Sequence, residues 1–438
     1  MFALRESPLG PTRRCHRRAD RSSIRRFSVH ITPTEPSPQA EPSTLVQSCP
    51  ENGNGSVGGL RSLGWWPKKA SLYILRTDGK SCSRELVTGT GKLHFAYPST
   101  QQHLLVWRNR PRSVMVLKKL GDELLPEFMQ VVSMLGQEHG LHVVVEPDVY
   151  AQHLQHHPSL HTCAHTFSEE ERDRLAEFVD FVVCLGGDGV VLHASNLFKH
   201  SIPPVLAFNL GSLGFLTNNS FAEVEQDLRC VLYGSQRLDS CSLSFDSMDE
   251  AANTLGVMVT LRMRLCCEIV RRGSEQAEQV HEVLNEVVID RGSSSFLTNI
   301  ECYEKGRFVT RVQADGIMLA TPTGSTAYSV AAGGSMVHPN VPAILLTPVC
   351  PHTLSFRPII LPDYAELELR IPDNARCSAW VCFDGRSRQE LNRGDSVRVR
   401  MSENPVPTVN KTDLTGDWFD SLERCFKWSD RTAQKPLA

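Results

Sequence analysis

The sequence predicts an α/β protein built from two ordered parts, a parallel-sheet α/β domain over residues 111–235 and a mostly β domain over 257–405. Two observations predict this. Between residues 113 and 234 apolar strand-like runs alternate with stretches of helical apolar spacing, the pattern of a parallel sheet with crossover helices. From about residue 240 short runs of period two take over and helical spacing becomes rare. A third observation sets the outer limits. Residues 1–64 read as a disordered extension: Arg- and Ser-rich first, then rich in Pro, Ser, Gly and Asn.

The elements follow in order. SVMVLKKL (113–120) is a strand. ELLPEFMQVVSMLGQEHG (123–140) has helical spacing and a stop at Gly140. LHVVVEP (141–147) is a second strand. A helix over 168–179 opens with SEEE, Ser168 being its cap, and leads into the strand FVVCL (181–185). IPPVLAFNLG (202–211) is a fourth strand, and FAEVEQDLRCVLYG (221–234) is a helix with Gly234 past its end. Residues 65–110 are a lead-in, and 236–256, polar and without period, are a hinge or variable insertion. Strand-like runs then come at 260–270, 283–290, 296–304, 307–314, 316–322, 365–372 and 396–402. The small-residue stretch STAYSVAAGG (325–334) is the exception, with helical spacing. The tail, 406–438, carries a closing helix at DWFDSLERCFKW (417–428).

Composition excludes several classes. At 438 residues, with 41% hydrophobic and 22% charged side chains, the chain affords a sizeable core and two domains. A net charge of −3 gives no reason to expect nucleic acid or an anionic membrane as partner. No apolar run reaches the ~18–20 residues of a membrane span. The 14 cysteines include no CxxC pair, so they read as reduced thiols rather than a disulfide framework or zinc site. The first 30 residues carry eight arginines, from Arg5 to Arg26, against the acids Glu6 and Asp20. That composition is expected of an organelle transit peptide.

Four stretches carry candidate chemistry. In CLGGDGVVLHA (184–194), Gly186, Gly187 and Gly189 surround Asp188 between a strand and a helix. Taken alone this is either a turn or a loop that lets backbone N–H groups approach a phosphate, with Asp188 as general base or Mg²⁺ ligand. NLGSLGFLT (209–217) is a second Gly loop after a strand, on the edge of a parallel sheet where ligands bind. In LNEVVID (284–290), Asn285 and Glu286 are either ligands for ribose hydroxyls or solvated residues at a strand end. ADGIMLATPTGSTAYSVAAGGSMVHP (314–339) sets Asp315, Thr326, Tyr328 and other small hydroxylated residues among Gly and Ala. It suits a sugar or nucleobase pocket, or a Gly/Ser turn into a tightly packed helix. Two further signals are weaker. Arg357 reads as a structural partner more than a phosphate clamp. The histidines at 153, 157, 161 and 165 are broken by Pro158 and read as a polar surface loop.

Together these stretches resemble the NAD kinase family. The resemblance rests on LGGDG (185–189), NLGSLGFL (209–216), LNEVV (284–288), DGIMLATPTGSTAYSVAAGGSMVHP (315–339), LSFRPIILP (354–362) and FDGR (383–386). LGGDGVVLHASNLF and ENPVPTVNKTDLTGDWF (403–419) are in the style of its plant and algal chloroplast branch. The resemblance implies a Rossmann-like N-terminal domain, a C-terminal β domain that binds NAD, and homo-oligomers. It also implies transfer of the ATP γ-phosphate to the 2′-hydroxyl of the adenosine ribose of NAD or NADH. Carried over by position, Asp188 is the general base and Gly186, Gly187 and Gly189 shape the phosphate loop. Asn285 and Glu286 hold ribose hydroxyls or adenine, Asp315 meets the nicotinamide end, and Thr326, Ala327, Tyr328 and Ala331 line the NAD pocket. Mg²⁺ is expected to arrive with ATP, held mostly by phosphate and water oxygens. Val190 stands where most of the family has Thr, so no hydroxyl there is required. Gln313 stands where many relatives have Arg or His. A chloroplast location is expected. Calmodulin is not expected as a partner, since the residues before 111 show no basic amphipathic helix. The rivals are a GGDG-type lipid or sugar-phosphate kinase and a catalytically silent NAD-binding regulator.

Overall fold

A computed structural model describes residues 66–77, 82–88, 102–211, 214–235, 255–353 and 355–427. The expected extension over 1–64, most of the expected insertion over 236–256 and the end of the expected tail lie outside the described residues.

Eleven strands form the first sheet: β1 (Leu72–Thr77), β2 (Cys82–Val87), β3 (Gln102–Trp107), β4 (Ser113–Lys118), β5 (His142–Val145), β6 (Ala164–Thr166), β7 (Phe181–Gly186), β8 (Val205–Asn209), β9 (Asn219–Ser220), β10 (Val257–Arg262) and β22 (Val406–Val409). They run β2-β1-β3-β10-β22-β8-β7-β4-β5-β6, with β9 beside β8. Pairing is parallel from β22 to β6 and antiparallel from β2 to β22. Strands β4 and β7 are buried along their whole length, which is why they read as unbroken apolar runs. Helices α1 (Leu125–Ser133) and α3 (Val224–Tyr233) pack Phe128, Val131, Leu228 and Val231 on one face. Helix α2 (Asp188–Leu197) packs Val191 and Ala194 on the other.

The second sheet also has eleven strands: β11 (Leu265–Val270), β12 (Ala277–Val283), β13 (Glu286–Asp290), β14 (Thr298–Glu304), β15 (Arg307–Ala320), β16 (Ala343–Pro351), β17 (Ile359–Pro362), β18 (Leu367–Arg370), β19 (Ala379–Phe383), β20 (Arg386–Leu391) and β21 (Ser396–Met401). The path is β12-β11-β21-β18-β14-β15-β13-β19-β20, with β16 and β17 continuing from β15, and every pairing is antiparallel. Its inward residues form a separate apolar core around Leu265, Ile289, Ile317 and Val381. Helix α4 (Leu414–Phe426) follows β22, capped by the Asp413 carboxylate, which accepts from Thr415 and Gly416 N–H.

Several elements differ from the sequence reading. The lead-in over 65–110 supplies β1, β2 and β3, short strands that gain pairing partners only from β10 and from each other. The run at 260–270 is two strands in two sheets, because the chain crosses between them at Met263 and Arg264. Thus β10, inside the expected β domain, and β22, inside the expected tail, both belong to the first sheet. The runs at 307–314 and 316–322 join as one strand through Asp315. Gly316 permits this, since a Cβ there would lie 2.6 Å from the Ile289 carbonyl on β13. The helix expected over 168–179 is two single turns, Glu169–Arg172 and Leu175–Phe178. The first is capped by reciprocal Ser168–Glu171 bonds.

Asp180, wholly buried, ties the lead-in to the sheet. Its carboxylate accepts from the N–H groups of Ala70 (2.6 Å), Arg112 (2.7 Å) and Ser113 (3.0 Å). Asp180→Ala would leave these donors unmatched. We expect a loss of about 2–4 kcal/mol, read from the denaturant midpoint. An unchanged midpoint would remove this anchor from the account of the fold.

Candidate active site

The first sheet has a reversal point. The chain fills β4, β5 and β6 outward, then returns to lay β7 on the other side of β4. Loops leaving the carboxyl ends of β4 and β7 therefore diverge and open a crevice, where open α/β sheets bind ligands. Gly186–Gly189 lies there, beside the β4 loop, whose Lys119 N–H donates to Leu185 O at 2.9 Å. Gly186 closes β7 at φ +146°, and a Cβ on it would stand 2.8 Å from Val190 Cγ2. Val190 is thus a packing residue of the loop. Gly187 is the N-cap of α2, Asp188 its first residue, and Gly189 follows in open space.

The Asp188 carboxylate is held by the second Gly loop. Phe215 N–H donates to Oδ2 at 2.9 Å, Leu216 N–H to Oδ1 at 3.0 Å, and Thr217 Oγ1 to Oδ1 at 3.4 Å. Gly214 makes the contact possible, because any Cβ there would collide with Asp188 Oδ1. Helix α4 braces this loop: Phe426 packs on Phe215, with ring centroids 5.4 Å apart, and Ser421 Oγ bonds Asn218 Oδ1 at 2.9 Å.

A second cluster surrounds Asn285 and Glu286, where the expected strand 283–290 bends between β12 and β13. Asp384 causes the bend. Its buried carboxylate accepts from the N–H groups of Leu284 (2.8 Å), Asn285 (2.7 Å) and Glu286 (3.2 Å). The TPTGST turn closes on the same bend: Thr321 N–H donates to Asn285 O at 2.9 Å, and Thr321 Oγ1 to Leu284 O at 2.6 Å. Glu286 is 8% exposed, and its Oε2 is buried without a partner. Burial, then the charge of Asp384, pushes its carboxyl up to about 7, against an opposing Tyr328 N–H bond. Burial also raises Asp384 to about 6, opposed by the three backbone donors.

The other expected residues fall around this cluster. Thr326 and Ala327 are half-buried beside the turn, with Thr326 Oγ1 donating to Thr323 O at 3.1 Å. Tyr328 and Ala331 are exposed on the single helical turn Tyr328–Ala331. Burial raises the Tyr328 hydroxyl above its ordinary range, as do the charges of Asp290, Cys350, Asp315 and Glu286 in turn. Asp315 is paired with Arg291 Nε at 2.8 Å.

Two ties join the clusters. Arg386, beside Asp384 in the β19–β20 turn, donates to His193 Nδ1 at 3.1 Å, and His193 Nε2 then donates to Glu146 at 2.7 Å. His193 belongs to α2, the helix that begins at Asp188. The second tie is Arg262, whose Nη1 reaches Thr323 Oγ1 at 3.5 Å. The sequence reading assigned no role to Asp384, Gly214, His193 or Arg262. Gly214 lies in the second Gly loop that the sequence marks, and Asp384 has a local signal of its own: Asp-Gly between two β runs marks a tight hairpin, and Asp384 and Gly385 take φ +47° and +70°. Among the histidines of 153–165, His153 pairs with Asp122 and His165 with His142. No three His, Cys, Asp or Glu side chains among the described residues converge as a metal site.

Two family models match the chain. The ATP-NAD kinase N-terminal domain covers residues 114–236 and the ATP-NAD kinase C-terminal domain covers 284–411. The crystal structure of yeast NADH kinase complexed with NADH superposes with a TM-score of 0.66 at 31% identity, covering 78% of this chain and 96% of that one. The chain belongs to the NAD kinase family. Within it, the chain is 56% identical over 370 residues to probable NAD kinase 2, chloroplastic, of Oryza sativa subsp. japonica. It is 55% identical over 370 residues to NAD kinase 2, chloroplastic, of Arabidopsis thaliana. Each match covers 84% of this chain and 36% of the relative, so the chain spans about a third of the length of these two.

Gly214→Ala tests the grip on Asp188. We expect the new Cβ to displace the carboxylate from the Phe215 and Leu216 amides, seen as roughly tenfold or greater acceleration of their hydrogen exchange. Unchanged exchange would mean the loop tolerates a side chain there.

Proposed function

We propose that this chain is an NAD kinase, transferring the γ-phosphate of ATP to the 2′-hydroxyl of the adenosine ribose of NAD, with NADH as a second acceptor. The observation that carries the reading is the Asp188 carboxylate, fixed at a helix N-terminus in the sheet crevice and held by two backbone amides. A ribose hydroxyl is a poor nucleophile near neutral pH, and a positioned carboxylate that takes its proton lowers the barrier. Oδ1 accepts from both Leu216 and Thr217, whereas Oδ2 accepts from Phe215 alone. Oδ2 keeps a lone pair, and we assign it the ribose proton.

The remaining residues bind and orient. In this reading Gly186, Gly187 and Gly189 admit phosphate oxygens to backbone N–H groups. Glu286, with its unpartnered Oε2, and Asn285 receive ribose hydroxyls. Thr326, Ala327, Tyr328 and Ala331 line the pocket, and Asp315 with its partner Arg291 marks the nicotinamide end. Mg²⁺ carried by ATP would neutralise charge on the phosphates.

We infer a plastid location from the names of the plant relatives together with the Arg-rich N-terminus. A homo-oligomer is supported by the exposed side chains of Phe296, Phe308, Val309, Ile359 and Ile360 on the second domain. The lipid or sugar kinase reading has no use for the TPTGST turn closed on Asn285. The silent-regulator reading leaves Asp188 held without a task.

A coupled assay for NADP formation from ATP and NAD tests the reading. Asp188→Asn is expected to lower turnover about 10²–10⁴-fold while NAD still binds; turnover near that of the parent would remove Asp188 as base. The KM for NAD should rise as pH falls through about 7. The sign follows from Glu286: protonation below that value removes the charge and turns one acceptor oxygen into a donor, which weakens the hold on ribose hydroxyls. Glu286→Gln should flatten this dependence, and a slope that persists in the variant would assign it to another group.

A further inference from the structure

Arg262 ends β10 and is 6% exposed. Its Nε donates to Thr408 Oγ1 at 3.0 Å and its Nη1 to Thr323 Oγ1 at 3.5 Å. Its Nη2 donates to none of the described residues, and none of their carboxylates forms an ion pair with it. Arg264, two residues on, is the contrast, since its guanidinium is bonded to four backbone carbonyls. A buried cation that meets only neutral hydroxyls is expensive. Burial pulls Arg262 down to about 10, which still leaves it charged at neutral pH.

The carboxylates acting on it, Asp188 and Asp417, are engaged elsewhere. Asp417 accepts from Lys411 N–H and from the N–H and hydroxyl of Thr412, and Asp188 accepts from the Phe215 and Leu216 amides. A second unmatched donor shares this neighbourhood. His338 lies in the field of Arg262. Its Nδ1 accepts from Asn340 N–H at 3.2 Å, so the neutral ring carries its proton on Nε2. That Nε2 is buried without a partner. Two unmatched donors, one cationic, suit an anionic oxygen.

We propose that Arg262 is a phosphate-binding residue of this site, and that its free Nη2 receives an oxygen of the ATP phosphate transferred near Asp188. The proposal rests on the kinase reading above. It gives the reaction a fixed positive charge from the protein itself, tied to the first sheet through Thr408 and to the substrate turn through Thr323.

Calorimetric titration with ATP and Mg²⁺, and separately with NAD, tests it on the full chain. Arg262→Gln is expected to weaken ATP about tenfold or more and to leave NAD affinity within about threefold. Arg262→Lys should recover part of the loss because the charge returns. A loss of ATP affinity below tenfold in Arg262→Gln overturns the proposal. Should that variant not fold, ¹⁵N-arginine spectra of the parent decide. With Arg262→Lys as the assignment, ATP must shift the Arg262 side-chain resonance more than NAD does, and an unmoved resonance overturns the proposal. NADP formation is followed alongside. A parent that binds ATP through Arg262 yet makes no NADP sinks the kinase reading alone; a parent that makes NADP while Arg262→Gln keeps its ATP affinity sinks this inference alone.

Discussion

The buried guanidinium of Arg264 holds α2 and both sheets in one arrangement. It donates to the carbonyls of Ser195, Phe198 and His200 at the end of α2, and to Asn404 just before β22. Helix ends leave carbonyls without partners and carry partial negative charge, so a buried cation is favourable there. The backbone of Arg264 also marks the crossing from β10 to β11, from one sheet to the other. Because Asp188 stands at the opposite end of α2, the direction of its carboxylate is set partly by a group a whole helix away.

Three carboxylates near the site have different environments, and the environments separate their tasks. Asp384 gives its oxygens to three backbone N–H groups and fixes the bend at Asn285. Glu286, on that bend, keeps a buried oxygen without a partner. Asp188 is shared between two amides and the crevice. One residue class thus serves as structural clamp and, in the proposed reading, as ligand acceptor and proton acceptor, with backbone donors rather than neighbouring cations distinguishing the first and last.

Much of this was legible in the chain. Fully buried parallel strands announce themselves as apolar runs, so β4, β7 and β8 were clear, as were the Gly loops behind β7 and β8. The two-sheet division was legible as a change of period, but its border was not. The run from Thr260 to Val270 keeps its alternation while passing from sheet to sheet, and period two is blind to which partner a strand finds. The strands of the lead-in were missed because short edge strands owe their order to neighbours distant in sequence. Within the site, Asp188, Asn285 and Glu286 sit in local motifs. Arg262 and His193 act through contacts many residues away, which no local spacing records, and Gly214, though inside a legible Gly loop, owes its role to a contact with Asp188 on the other loop.

The place of β22 has a consequence for how such a chain is made. The parallel part of the first sheet runs from β6 through β8 to β22, and β22 begins only at residue 406. The whole second sheet is synthesised between β8 and β22. During translation β9 can cover β8 at Phe208 and Asn209, but the edge around Val205, where β22 will pair, stays open to mispairing until the chain returns. The glycine-loop domain cannot finish first and wait for the second; β22 is the latch that closes both, and assembly of the site is a late event on the ribosome rather than an early one.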